Sequence, residues 1–252
     1  MSVSGREAAA PAANFAVIVA LGVERAALRA LAEREPPLGI IQSGPGPERA
    51  ASAATAALAA GASGLVSFGL AGALRAELAP GAVLVPRRVR SIAGASFEAH
   101  PEWHAALCGA VRDLGLAPEL DDLLSVPSAL TTVAEKAKAA AGGAAAADME
   151  SAAIAAAAAR AGARFAALRV VVDAAGDELP ADVERWIDER GERGERRIGA
   201  AFAAALRPAQ WRGLLILAQR YRVARRMLAR VAPIVSSTSF GSGAASARRA
   251  AS

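Results

Sequence analysis

The sequence predicts an α/β fold built around a layered, largely parallel sheet, and three observations predict it. Short, nearly unbroken apolar runs at residues 14–21, 65–68 and 164–172 have the pattern of strands buried on both faces. Segments with helical spacing alternate with them, as parallel crossovers require. A chain of 252 residues, 54% of them hydrophobic, holds enough apolar material for one large domain. Much of that material is alanine and only 4% is aromatic, so helices are expected to pack through small side chains.

The elements follow in order. Residues 1–13 read as a disordered N-terminus, and 14–206 as the main domain. The first strand, 14–21, is broken by Gly22, and 24–33 has helical spacing with Leu28 and Leu31 on one side. A second short strand, 38–42, closes in Ser43-Gly-Pro-Gly46, where glycine permits close backbone approach. Residues 48–60 form a helix, 61–64 its stop and 65–68 a third strand, with Gly69-Leu-Ala-Gly72 read as a glycine turn at its end. Residues 82–85, 89–92 and 123–126 are further strand candidates, and a helix carrying Glu135, Lys136 and Lys138 follows. Residues 151–160 are helical, and 164–172 is the clearest strand in the chain, delivering Asp173 to its carboxyl end. Residues 207–232 read as a basic amphipathic helix and 233–252 as a disordered tail.

Composition narrows the function classes. The single cysteine, Cys108, excludes an internal disulfide framework and fits a reducing, cytoplasmic compartment. The net charge of +5 is concentrated in residues 212–230, which carry six arginines and no acid, so no nucleic-acid partner is expected of the main domain. Residues 1–13 lack the pattern of an export signal. Residues 50–74 are uncharged over a membrane-spanning length, but their serines, threonine and glycines fit a helix, turn and strand better. His100-Pro-Glu-Trp-His104 superficially resembles a zinc motif. Pro101 and the late glutamate spoil it, and neither a metal nor a cofactor is expected.

The chemistry is expected where carboxylates interrupt apolar sequence at strand ends and helix starts. Asp148-Met-Glu-Ser151 is set abruptly into alanine and glycine, with a helix following at once, so Glu150 stands where a helix dipole favours negative charge. On this stretch alone, capping of the helix accounts equally well for Asp148 and Glu150. Glu24 and Asp173 complete a set of three carboxylates beside two glycine-rich stretches. Such a set suits cleavage of a glycosidic bond through an oxocarbenium-like transition state, one group protonating the leaving group and another orienting water.

Taken in sequence, Ala20-Leu-Gly-Val-Glu24, Ser43-Gly-Pro-Gly46, Gly69-Leu-Ala-Gly72, Asp148-Met-Glu-Ser151 and Arg169-Val-Val-Val-Asp173 resemble the nucleoside phosphorylase and nucleosidase superfamily. Within it the chain is similar to the methylthioadenosine/S-adenosylhomocysteine nucleosidases, and most of all to the hopanoid-associated phosphorylases. The resemblance implies a three-layer α/β/α phosphorylase/hydrolase-like fold with a central twisted mixed sheet. It implies Asp173 as the acid at N7 of adenine and Glu24 as the group that orients the attacking water. Glu150 would accept the ribose hydroxyls and Met149 pack on the sugar. Ala71 and Gly72 would line the pocket by backbone, and Leu130 or Thr131 supply main-chain contacts to adenine.

Some positions depart from the pattern. Leu70 replaces a serine usual in the glycine stretch, while Ser67 and Glu24 stand where phosphorolytic relatives carry arginine. Phosphate requires cationic or N–H donors, so water is the expected nucleophile, with Arg25, Arg49 and Arg75 keeping phosphate open as a co-substrate. The expected partner is a small or lipid-linked adenine nucleoside with an apolar 5′ substituent, adenosylhopane above all, and the resemblance implies a homo-oligomer. The 207–232 helix is expected either to dock on the domain or to touch a membrane surface, which would place the protein at the inner membrane. A methionine-salvage nucleosidase and a non-catalytic nucleoside-binding scaffold are the competing readings.

Overall fold

A computed structural model describes residues 15–32, 39–179 and 211–236. The expectations for 1–13 and 237–252, and the charged segment from 183 to the start of the last helix, lie outside the described residues. β1 (Phe15–Val19), β2 (Gly39–Gln42), β3 (Gly64–Ala73) and β10 (Arg164–Asp173) run parallel, with β1 between β2 and β3 and β10 on the other side of β3. β4 (Val83–Leu84) joins β10 antiparallel and carries β7 (Pro118–Glu119). β5 (Arg88–Ser91), β6 (Ser96–Glu98), β8 (Leu123–Ser125) and β9 (Ala146–Asp148) extend the sheet from the far end of β3. Parallel pairs and the antiparallel pairs β3–β9, β10–β4 and β5–β6 occur in one sheet, so the sheet is mixed.

Two apolar cores sit on its two faces and make the fold three-layered. On one, α3 (Pro47–Ala59) and α6 (Ser151–Arg160) pack through Ala50, Ala54, Ala57, Ala155 and Ala158 against Leu65, Ala71 and Val171. Methyl groups allow close helix approach, though each contributes only about 1 kcal/mol or less. On the other, α1 (Gly22–Ala27), α2 (Arg29–Ala32), α4 (Pro101–Asp113) and α7 (Trp211–Val231) cover Val17, Phe68, Leu168 and Val170. The zinc-like His104 belongs to this packing, with Nε2 3.1 Å from the Val85 carbonyl. α5 (Val133–Ala140) closes a smaller cluster around Leu74, Leu124 and Val126.

Three expectations change. The single helix read over 24–33 divides at the buried Leu28 into α1 and α2. The third strand does not turn at Gly69 but runs on to Ala73. At the C-terminus, Ala224, Leu228 and Val231 bury themselves in the domain core, and Ala232–Ser236 follow as a 3-10 turn with Ile234 and Val235 buried. The basic helix thus docks on the domain, and residues 233–236, read as the start of a tail, belong to this packing. No helix among the described residues is long and apolar enough to cross a membrane.

The feature that positions the site is a split in the sheet. Along one edge of β3 the parallel ladder with β1 ends at Ser67, and the antiparallel ladder with β9 begins at Gly72. Between them the β3 backbone faces side chains instead of a strand, and ligands of open α/β sheets bind at such points.

Candidate active site

Glu24 fills that split. It is the third residue of α1, and its Oε2 turns back to accept the N–H groups of Ala20 (2.8 Å) and Leu21 (2.9 Å). Its Oε1 accepts the Leu70 N–H at 2.8 Å, the donor that β3 would otherwise give to a strand. The side chain is buried, and burial pushes its pKa up, opposed by the charge of Arg169 and the three N–H donors. Gly69 is needed beside it. A Cβ there would lie 2.2 Å from Glu24 Oε1 and 2.3 Å from Arg169 Nη1, so close approach rather than turning explains the glycine.

Arg169 is the buried cation of this half of the site. On β10 it shares the α6-side face with Ala167 and Val171, and there it pairs with Asp148 at 2.6 Å and donates to Ser67 (2.6 Å) and Ser151 (2.8 Å). Asp148 also accepts the Ser125 hydroxyl and, at 3.0 Å, the Ser151 N–H at the start of α6. Asp148 therefore caps and anchors. Glu150 occupies the N-cap position of α6 without capping it. Its Oε1 instead takes the Gly46 N–H at 2.8 Å, tying the Ser43–Gly46 stretch to the site. Burial first, and then the neighbouring Asp148, push its pKa up to about 7, opposed mainly by Arg169. Glu24 adds a further repulsion, which places the two glutamates in one electrostatic neighbourhood.

Asp173 stands one strand away. It ends β10, opposite Gly72, itself paired with Ala147 of β9. Its carboxylate crowds Gly72, where a Cβ would be 3.1 Å from Oδ1. Oδ2 is ion-paired to Lys136 of α5, both side chains being buried. Burial pushes the Asp173 carboxyl up, against the pull of Lys136 and, more weakly, Arg220.

The other expected residues divide. Met149 and Leu130 pack against the same apolar cluster of Leu74, Leu124 and Val126, and Ala71 and Gly72 lie on β3 between Glu24 and Asp173. Thr131 is not aimed at a base. Its N–H goes to Glu135 at 2.8 Å in the cap of α5, and its carbonyl takes the Leu179 N–H at 2.7 Å, so its main chain serves the fold. Of the arginines that kept phosphate open, Arg75 is tied to Glu119 (2.7 Å) and Asp121, and Arg25 is exposed. Arg49 packs against Gly44 in the glycine stretch.

The model of the phosphorylase superfamily matches residues 31–207. The chain belongs to the phosphorylase superfamily. It is accordingly an enzyme of the nucleoside phosphorylase and nucleosidase type, and solved structures agree on the fold. The 5′-methylthioadenosine/S-adenosylhomocysteine nucleosidase of Neisseria meningitidis, in complex with methylthio-immucillin-A, is similar at TM-score 0.66 and 19% identity, covering 89% of this chain and 99% of that one. The Colwellia psychrerythraea nucleosidase with adenine is similar at 0.60 and 23%, covering 72% and 90%. Futalosine hydrolase of Helicobacter pylori follows at 0.57 and 17%, covering 63% and 87%. A search by sequence among curated proteins found no significant match.

Within this superfamily fold, two site residues carried signals in the sequence but were given no role. Arg169 is a charge inside an otherwise apolar strand, and a fully buried arginine requires a partner. Lys136 shares its helix face with Ala139 and Ala140, which pack inward. A lysine at that position points at the interior and at a counter-charge.

Proposed function

We propose that the protein hydrolyses the N-glycosidic bond of an adenine nucleoside bearing an apolar 5′ substituent and releases adenine, adenosylhopane to ribosylhopane being the preferred case. The observation that carries this reading is the meeting of three buried carboxylates, Glu24, Glu150 and Asp173, around the split in the sheet. Their environments suit different tasks. Asp173, with its proton held up by burial, donates to N7 as the C1′–N9 bond breaks. Glu150 accepts the ribose hydroxyls, and Met149 lies against the sugar. Glu24 orients the water that attacks C1′ and takes its proton.

Water is favoured over phosphate by the same geometry. The N–H groups of Ala20, Leu21 and Leu70 are already committed to Glu24, so an incoming phosphate meets a like charge instead of free donors. An apolar, membrane-derived substrate is supported by α7, where Arg222 and Arg226 are exposed alongside Ile216 and Val223 and no acid lies between residues 211 and 236. The test is adenine release from adenosylhopane and from methylthioadenosine, with and without phosphate. Release without phosphate, faster from adenosylhopane, is expected. Faster turnover of methylthioadenosine would move the protein to methionine salvage, and no adenine from either nucleoside would sink the reading.

A further inference from the structure

We propose that Lys136 is a positioning residue for the acid, holding Asp173 in place and stabilising the carboxylate that Asp173 becomes once its proton has gone to the leaving adenine. The inference rests on the nucleosidase reading above and adds to it a residue that touches neither substrate nor water.

The geometry of Lys136 is that of a dedicated partner. It is 2% exposed and Asp173 3%. An ammonium group has three N–H donors. One goes to Asp173 Oδ2, one to the Ala174 carbonyl at 2.9 Å and one to the Asp177 carbonyl at 3.0 Å. All three acceptors belong to one short stretch at the end of β10, so a single side chain from α5 fixes the acid and the loop behind it. The same loop is held from the opposite side. Asp177 accepts the Ala174 N–H at 2.8 Å and pairs with Arg220 of α7. Among the described residues, the charged groups facing Asp173 are therefore Lys136 from α5, Asp177 from its own loop and Arg220 from α7.

Two opposed influences act on the acid, and each matters at a different moment. Burial favours the neutral carboxylic acid, which keeps the proton available before reaction. In the step itself the Asp173 O–H bond breaks and its proton goes to N7. The C1′–N9 bond breaks with its electron pair entering the base, and water oxygen bonds to C1′ while Glu24 takes the water's proton. Asp173 is left as a carboxylate, buried, and an uncompensated buried charge is costly. Lys136 Nζ already stands at Oδ2, so the charge appears opposite a fixed cation. In this reading Oδ1, the oxygen that Lys136 does not hold, carries the proton to N7.

Lys136→Met in the full-length protein, assayed across pH 5–9, tests the role. Two substrates are compared: whichever adenine nucleoside the wild type cleaves, and the matching 4-nitrophenyl riboside, whose phenolate leaves without a proton. With the nucleoside, kcat is expected to fall tenfold or more, with KM little changed. Removing an opposite charge should move the basic limb of the kcat profile upward by about one to three pH units. With the nitrophenyl riboside the loss should be at least tenfold smaller. Equal losses on both substrates with an unmoved limb, or no loss on either, would overturn the proposal. If Lys136→Met folds poorly, Lys136→Gln keeps N–H donors for the loop carbonyls without the charge and should show the same shift. A wild type inactive on every adenine nucleoside overturns the parent reading, a result distinct from an active wild type with an unmoved limb.

Discussion

Glu24, in the first turn of the helix after β1, and Asp173, at the end of β10, are both buried carboxylates, yet the protein surrounds them differently. Glu24 is met by backbone: three N–H groups close on it, and its nearest cation, Arg169, is shared with Asp148. Asp173 is met by a side chain, the ammonium of Lys136, dedicated to it. Backbone donors fix direction and cannot move away, which suits a group that must orient a water. A charged side chain answers a change of charge, which suits a group that gives up a proton. Pairs of titratable groups in divergent environments mark the division between acid and base.

The sharpest break of this comparison is chemical. Asp173→Asn removes the proposed acid, and general-acid catalysis is worth about 10²–10⁴-fold in kcat. The loss is expected on an adenine nucleoside and should be far smaller on a nitrophenyl riboside. Glu24→Gln should lose on both, because both need the water, and its amide must also set an NH₂ against backbone donors. Steady-state kinetics on the two substrates read the difference. Identical patterns for the two variants would erase the distinction between base and acid.

Next in size is Gly69→Ala. Its methyl would fall within 2.3 Å of both Glu24 Oε1 and Arg169 Nη1, which belong to buried side chains held by hydrogen bonds. Overpacking of this kind costs about 1–3 kcal/mol. Glu24 should leave the Leu70 N–H, so a lowered melting temperature and a fall in kcat toward that of Glu24→Gln are expected together.

Gly69 also shows what was legible in the sequence and what was not. Local pattern marked the strands at 14–21 and 164–172, the 151–160 helix and the three carboxylates, because apolar runs and charges set among alanines are local signals. The glycines at 69–72 were read as a turn, since short-range rules associate glycine with turns. Their reason is long-range: side chains from α1 and from β10 press against the strand. β9 went unread because Ala146 and Ala147 have no strand character of their own and pair only where Gly72 and Ala73 offer an edge. Lys136 was visible as a residue but not as a partner, since its meaning depends on Asp173, 37 positions away. Motif resemblance assigned roles to the residues proposed to meet a ligand, and none to Arg169 or Lys136 behind them.

A pH-dependent effect separates Glu150 from both. Its carboxyl is raised from 4.5 to about 7 in the folded chain, so between those values the folded state holds more protons than the unfolded one. The stability this contributes is complete below the unfolded pKa and is lost as pH rises through the folded one, at most about 3 kcal/mol. Glu150→Gln keeps an oxygen for the Gly46 N–H without titrating. Thermal melts from pH 4.5 to 8 should show a wild-type decline that this variant lacks, and a parallel decline in both would place the titration elsewhere.

The smallest effect tests the Asp173 side against Gly69. At Gly72 a methyl would sit 3.1 Å from Asp173 Oδ1 and 3.3 Å from Oδ2, tight contact instead of collision. The carboxylate need give only a few tenths of an ångström, but Lys136 holds Oδ2 and resists the shift. Alanine is also favoured over glycine inside a strand by roughly 0.5–1 kcal/mol. Gly72→Ala should therefore keep or slightly raise the melting temperature while lowering kcat a few-fold, since catalysis is more sensitive than packing to a small misplacement of the acid. A stability loss like that of Gly69→Ala would mean that the Asp173 pocket is as rigid as the Glu24 pocket. In that event the contrast between backbone and side-chain support would lie in charge alone and not in compliance.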